Sequence, residues 1–191
     1  LVTTDAAVKG RQVAETAAAI GLPATQVRIV PNRGRNLGAL LCAWEPGWHR
    51  QYDLVGHFHT KRSPHLPGHA ADAWRSFLLE NLVGGFVPMA TTILARFAAD
   101  SSLGLVHADD PRLFGWNWHD PAADPAARAS DGTGACFGAE TNRTIAQRLA
   151  RQLGLGALPE QIEFPAGAMF WARPDALAPL LDLGLAWDDL P

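Results

Sequence analysis

The chain has 191 residues, 48% of them hydrophobic, enough to bury one substantial core, and a single α/β domain over residues 1–191 is expected. A formal net charge of −3 gives no basis for general nucleic-acid binding, so local Arg and Lys clusters say more than the total. The two cysteines, Cys42 and Cys136, are too few for a disulfide scaffold and lack zinc spacing, and no apolar run reaches the ~20 residues of a membrane-spanning helix.

Leu1–Thr4 is a short apolar stub suited to a strand end. The missing Met there, the lack of a signal peptide and the abrupt stop after Trp187-Asp188-Asp189-Leu190-Pro191 read as a cytoplasmic piece of a larger protein. Asp5 is placed to cap an Ala-rich helix from Ala6 to Ile20, which stops at Gly21 before Pro23. Gln26–Val30 alternates and is β-branched, the pattern of a short strand. A loop rich in Asn, Gly and Arg follows over residues 32–36, then a helix from Leu37 to His49 with Leu37, Leu40, Leu41 and Trp44 on one face.

Asp53–His59 is the clearest strand, and Thr60–His69 is a polar loop punctuated by Pro and Gly. Helices are expected over Asp72–Leu82 and Pro88–Ala99, with a buried strand over Leu103–His107. Pro111–Cys136 lacks periodicity and reads as a long loop. Thr141–Leu153 is helical and closes at Gly154. Phe164–Arg173 is a strand or extended turn, Pro174–Leu181 a short helix and Trp187–Pro191 a tail. Strand and helix signals alternate at βα spacing, which predicts a mostly parallel sheet with helices on both faces.

The chemistry concentrates in a few stretches. In Asn32-Arg33-Gly34-Arg35-Asn36, a glycine between two arginines lets the backbone turn so that both guanidinium forks approach one anion. The next helix adds free N–H groups and its positive dipole end. A solvated turn with its arginines in water is the ordinary alternative. In His57-Phe58-His59-Thr60-Lys61-Arg62, strand alternation puts His57, His59 and Lys61 on one face. The histidines offer proton transfer, and Lys61 and Arg62 neutralise a departing diphosphate. The same histidines can instead serve a metal-dependent hydrolase, with His107 and Asp109 or Asp110 as further ligands. Met169-Phe170-Trp171 is core by pattern, with a sugar-stacking platform as the alternative. Trp74 is core or a ligand contact. Trp116, Trp118 and His119 can close over a sugar. Asp188 or Asp189 can act as general base, or belong to an ordinary acidic tail.

Taken in order, Val-Pro-Asn-Arg-Gly-Arg from Val30, Tyr-Asp-Leu-Val from Tyr52, the following His-Thr-Lys-Arg-Ser, Trp74-Arg75, Gly104-Leu105-Val106-His107 and Phe-Pro-Ala-Gly-Ala-Met-Phe-Trp-Ala-Arg from Phe164 resemble the rhamnan synthesis protein F family, across Val2 to Asp189. Those proteins are glycosyltransferases of bacterial cell-surface polysaccharide assembly. The resemblance implies a GT-A-like module that transfers a sugar, L-rhamnose or another deoxyhexose, with inversion from a nucleotide-diphosphate donor such as dTDP-L-rhamnose. The acceptor it implies is a growing glycan, free or lipid-linked, with peripheral association at the inner face of the membrane.

On that layout Asn32, Arg33, Gly34, Arg35, Asn36, His57, Lys61, Arg62 and Trp74 bind substrate, and His59, Asp188 and Asp189 are the catalytic candidates. The GT-A strand usually ends in Asp-x-Asp, which carries the metal; His57-Phe58-His59 stands there instead. No cofactor is therefore assigned, a divalent metal stays open, and the cationic side chains take over charge neutralisation. Asn36 replaces the family's Asp, and the family's later His-Glu-Arg stretch is absent from this sequence. Both departures favour the main alternative, a carbohydrate- or nucleotide-binding module without turnover.

Overall fold

The computed structural model describes residues 1–22, 24–60, 68–108, 140–159 and 165–190. Contacts divide the chain into two compact units, one of Leu1–Val55 with Pro174–Pro191 and one of Gly56–Arg173.

In the first unit β1 (Val2–Thr4) and β2 (Val27–Ile29) pair in parallel, Val2 opposite Val27 and Thr4 opposite Ile29. Parallel neighbours need a crossover, which α1 (Ala7–Ala19) supplies. The helix lies close on the strands because Gly10 has no side chain: a Cβ there would stand 2.7 Å from Ile29 Cδ1. Asp5 does not cap α1. The N-cap is Ala6, whose N–H meets Thr4 Oγ1 at 3.4 Å, and Asp5 pairs with Lys9 one turn on. Asp5 stands one position too early to reach the orphan N–H groups of the first turn.

The helix expected over Leu37–His49 is two elements. The first, α2 (Arg35–Cys42), ends at Ala43, and Pro46 with the left-handed Gly47 (φ 74°) prevents continuation. A 3-10 turn over Trp48–Gln51 follows, and Trp48 stacks on Trp44 at 3.7 Å between centroids. Arg28 reaches from β2 to the end of α2, donating to Ala43 O and pairing with Glu45 at 3.6 Å. The helix α6 (Pro174–Leu181) packs on the 3-10 turn. After α6, Asp182 takes Arg50 at 2.7 Å and lies 3.5 Å from His49 Nε2. The latter distance is too long for a good hydrogen bond, so Arg50 is the carboxylate's main partner.

The second unit contains a three-stranded sheet in the order β3 (Val55–His57), β5 (Phe170–Ala172), β4 (Leu105–His107); Val55 falls on the boundary between the units. β4 and β5 are antiparallel, with Val106 opposite Trp171. Its helices are α3 (Gly68–Leu82), α4 (Met89–Ala99) and α5 (Glu140–Gln152). Trp74, Leu78 and Leu82 of α3, Ile93 and Phe97 of α4, and Met169, Phe170 and Ala172 around β5 form the core. Met169 and Phe170 are thus core, as the pattern predicts.

Arg173 anchors the end of β5: its guanidinium donates to the carbonyls of Leu103, Phe97 and Asp100 and lies 5.5 Å from the Phe97 ring centre. The mixed α/β class holds. The sheets are small, however, and one described pairing is parallel and another antiparallel. Strand and helix spacing sets the number of connections but not the direction in which a strand enters a sheet. Among the described residues, no helix is long and apolar enough to cross a membrane.

Candidate functional site

The Arg-Gly-Arg loop lies in the first unit and turns through two successive left-handed residues, Gly34 (φ 62°) and Arg35 (φ 52°). Glycine takes this conformation freely, whereas Arg35 holds it at some cost. The reversal brings Arg33 O against Gly38: a Cβ on Gly38 would stand 2.1 Å from that oxygen. Arg35 then opens α2, with Gly34 as its N-cap. Asn32 and Arg35 are exposed, and Arg33 and Asn36 half-buried.

Arg33 meets the acidic segment. Its Nη1 donates to Asp188 Oδ1 at 2.8 Å, and its Nη2 donates to Leu190 O. The expected tail is a 3-10 turn over Trp187–Asp189 seated on the loop. Cβ atoms on Gly34 and Gly38 would fall 2.6 Å and 3.2 Å from Leu190 Cδ1, so the leucine occupies the space those glycines leave. Asp189 accepts the Ala186 N–H at 2.8 Å and so closes its own turn. The two aspartates therefore differ: Asp188 faces the arginine, and Asp189 holds the backbone that presents Asp188.

Cys42, at the end of α2, is a free thiol that donates to Leu185 O at 3.2 Å. Burial, and secondarily the Asp189 carboxylate, push its pKa up. A raised pKa lowers the thiolate fraction and with it the nucleophilicity of the sulfur.

In the second unit His57 and His59 converge on the 3-10 turn Ala166–Ala168, where Gly167 (φ 75°) and Ala168 (φ 53°) are both left-handed. His57 Nδ1 donates to Ala168 O at 2.7 Å, and His59 Nε2 donates to Gly167 O at 2.6 Å. A carbonyl only accepts, so each bond fixes a tautomer: Nδ1 carries the proton in His57, Nε2 in His59. Trp74, only 4% exposed, lies against the same turn, with its Nε1 3.1 Å from where a Gly167 Cβ would be.

With those protons on His57 Nδ1 and His59 Nε2, the lone pairs lie on the opposite ring nitrogens, His57 Nε2 and His59 Nδ1. Among the described residues, no group of three or more His, Cys, Asp or Glu is placed to hold a metal ion. His107 Nδ1 stands 3.3 Å from Ala108 O, and Asp109 and Asp110 lie outside the described residues. So do Lys61, Arg62, Trp116, Trp118, His119 and Cys136.

Arg33 with Asp188 is thus one cluster of the expected site residues, and His57, His59 and Trp74 are another. Sequence reasoning missed Leu190, Gly38, Gly167 and Ala168, which position them. Small residues at 166–168 were the available sign for the second pair. For Leu190 no local pattern exists, because its partner lies more than 150 residues away.

The family model described as Rhamnan synthesis protein F matches residues 1–191. Two proteins named Uncharacterized protein WxcX, from Xanthomonas campestris pv. campestris strains B100 and ATCC 33913, are each 30% identical over 154 residues, 81% of this chain. The chain spans 19% of the length of these curated relatives. No solved structure matches it. On a match that runs from the first residue to the last, the chain belongs to the rhamnan synthesis protein F family.

Proposed function

We propose that this chain is a GT-A-like glycosyltransferase module in polysaccharide synthesis, moving L-rhamnose or another deoxyhexose from a nucleotide-diphosphate donor onto a growing glycan with inversion. Family membership over residues 1–191 is the observation that carries this reading, and it supports treating the chain as one module. In the first unit, Arg33 and Arg35, with Asn32 and Asn36, take the diphosphate, since guanidinium forks match phosphate oxygens. Asp188 takes the proton of the acceptor hydroxyl, and Asp189 holds the turn that carries it. In the second unit, His57, His59, Lys61 and Arg62 are the residues whose positive charge and N–H groups suit an anionic leaving group. The acceptor, a glycan or lipid-linked glycan, places the protein peripherally at the inner face of the membrane.

The test is a transfer assay and a thermal-shift screen of the full-length protein against dTDP- and UDP-sugars, with and without Mg²⁺ or Mn²⁺. A sugar-specific shift with transfer is expected. Failure to respond to any nucleotide sugar refutes the reading. Binding without transfer or hydrolysis supports instead a carbohydrate- or nucleotide-binding module, which the engagement of Arg33 by Asp188 and Leu190 favours.

A further inference from the structure

We propose that the Arg33–Asp188 ion pair is a placeholder for the donor: the incoming diphosphate displaces the Asp188 carboxylate from Arg33, and the released carboxylate becomes the base. The proposal rests on the reading that this loop takes a nucleoside diphosphate. The first observation is the accessibility of both partners. The Arg33 side chain is 40% exposed and that of Asp188 98% exposed, so a dissolved anion reaches the pair without unpacking the protein. A carboxylate held by one hydrogen bond in water contributes little. A diphosphate carries more than one negative charge, so it outcompetes a single carboxylate for Nη1 while Nη2 keeps its bond to Leu190 O.

The second observation is what stays behind. Leu190 remains seated on Gly34 and Gly38, and Asp189 remains bonded to the Ala186 N–H. Exchange therefore breaks one ion pair and leaves Asp188 beside the loop. In the ensuing step the acceptor oxygen bonds to the anomeric carbon as its proton passes to Asp188. The bond from that carbon to the diphosphate oxygen breaks, and its electron pair leaves with the nucleoside diphosphate. The sequence of steps makes the base available only when a donor is bound.

Isothermal titration of dTDP and UDP into the full-length protein tests this. Asp188→Asn removes the competing charge and keeps the side-chain shape. It is expected to bind the nucleoside diphosphate about two- to fivefold tighter than wild type, with the gain shrinking at high salt. Transfer by the same variant is expected to fall on the order of 10²–10⁴-fold. Arg33→Ala is expected to weaken binding at least tenfold, and melting curves report whether either variant is still folded. If wild type binds and Asp188→Asn binds equally or more weakly, the pair is a permanent latch and the exchange is refuted. A melting temperature for Asp188→Asn far below wild type refutes it as well. If wild type binds neither nucleotide, the diphosphate reading of the loop fails, and the exchange with it.

Discussion

Single side chains set the ionisation of this protein, and two of them have a predictable response to pH. Asp100 follows α4, where Ser102 donates both its hydroxyl, at 2.6 Å, and its N–H, at 2.9 Å, to Asp100 Oδ1. These bonds, the hydroxyl first, hold the carboxyl below its ordinary value of 3.8. A depressed carboxylate contributes stability above its unfolded pKa and loses it as pH falls through the folded one. The turn therefore weakens only in strong acid. Ser102→Ala removes the leading donor, so the Asp100 pKa should rise toward 3.8 in an NMR titration, and an unmoved midpoint would disprove the assignment.

Cys42 shifts the other way. Its half-buried thiol, raised in pKa by burial and by the Asp189 charge, should alkylate more slowly than a free cysteine at pH 8. Asp189→Asn takes away a charge that raises the pKa while keeping an acceptor for Ala186, so the rate should increase. A rate that is unchanged or lower contradicts the electrostatic part of the account.

At the scale of elements, glycine positions decide where the candidate site forms. Gly38→Ala would place a Cβ 2.1 Å from Arg33 O, and backbone cannot swing aside as a flexible side chain does. The first turn of α2 must move, at a cost of about 1–3 kcal/mol in urea unfolding. Gly21→Ala is the control: it meets nothing within 4 Å, and its positive φ alone costs about 1 kcal/mol. Equal losses at the two sites would remove the argument that the loop closes tightly on α2.

The helices α1, α3, α4 and α5 are legible in the sequence because an apolar period and a stop signal are local properties. The period overextends α2 because Leu37, Leu40, Leu41 and Trp44 continue it toward the break at Pro46-Gly47. The strands are legible too, but not their directions, since pairing depends on distant partners. The Arg33 loop and His57 with His59 are visible as chemistry. Their partners Asp188, Leu190, Gly167 and Ala168 lie more than 100 residues away in sequence, where no periodicity reaches.

On the scale of the whole molecule, the first unit is closed by both ends of the chain. Leu1–Val55 supplies two strands, α1, α2 and the Trp48–Gln51 turn, and Pro174–Pro191 returns to complete it. The returning segment carries Leu177 into the core, Asp182 to Arg50 and His49, Leu185 to Cys42, and Asp188 and Leu190 to Arg33. The second unit has its own anchor in Arg173, which bonds to carbonyls of Phe97, Asp100 and Leu103 within the same unit.

Ending the chain at Arg173 should therefore damage the two units unequally. His49, 2% exposed in the intact chain, would lose Asp182, and the apolar surface under α6 would face water. Hydrogen exchange on chains 1–191 and 1–173 reads this directly. Protection should collapse in α2 and the Trp48–Gln51 turn, while α3 and α4 exchange as before. Loss of protection in all four together would mean that the chain unfolds as one cooperative body. Retention in α2 would mean that the acidic turn rests on a loop already formed without it, and the tightening role given to Leu190 would have to be abandoned.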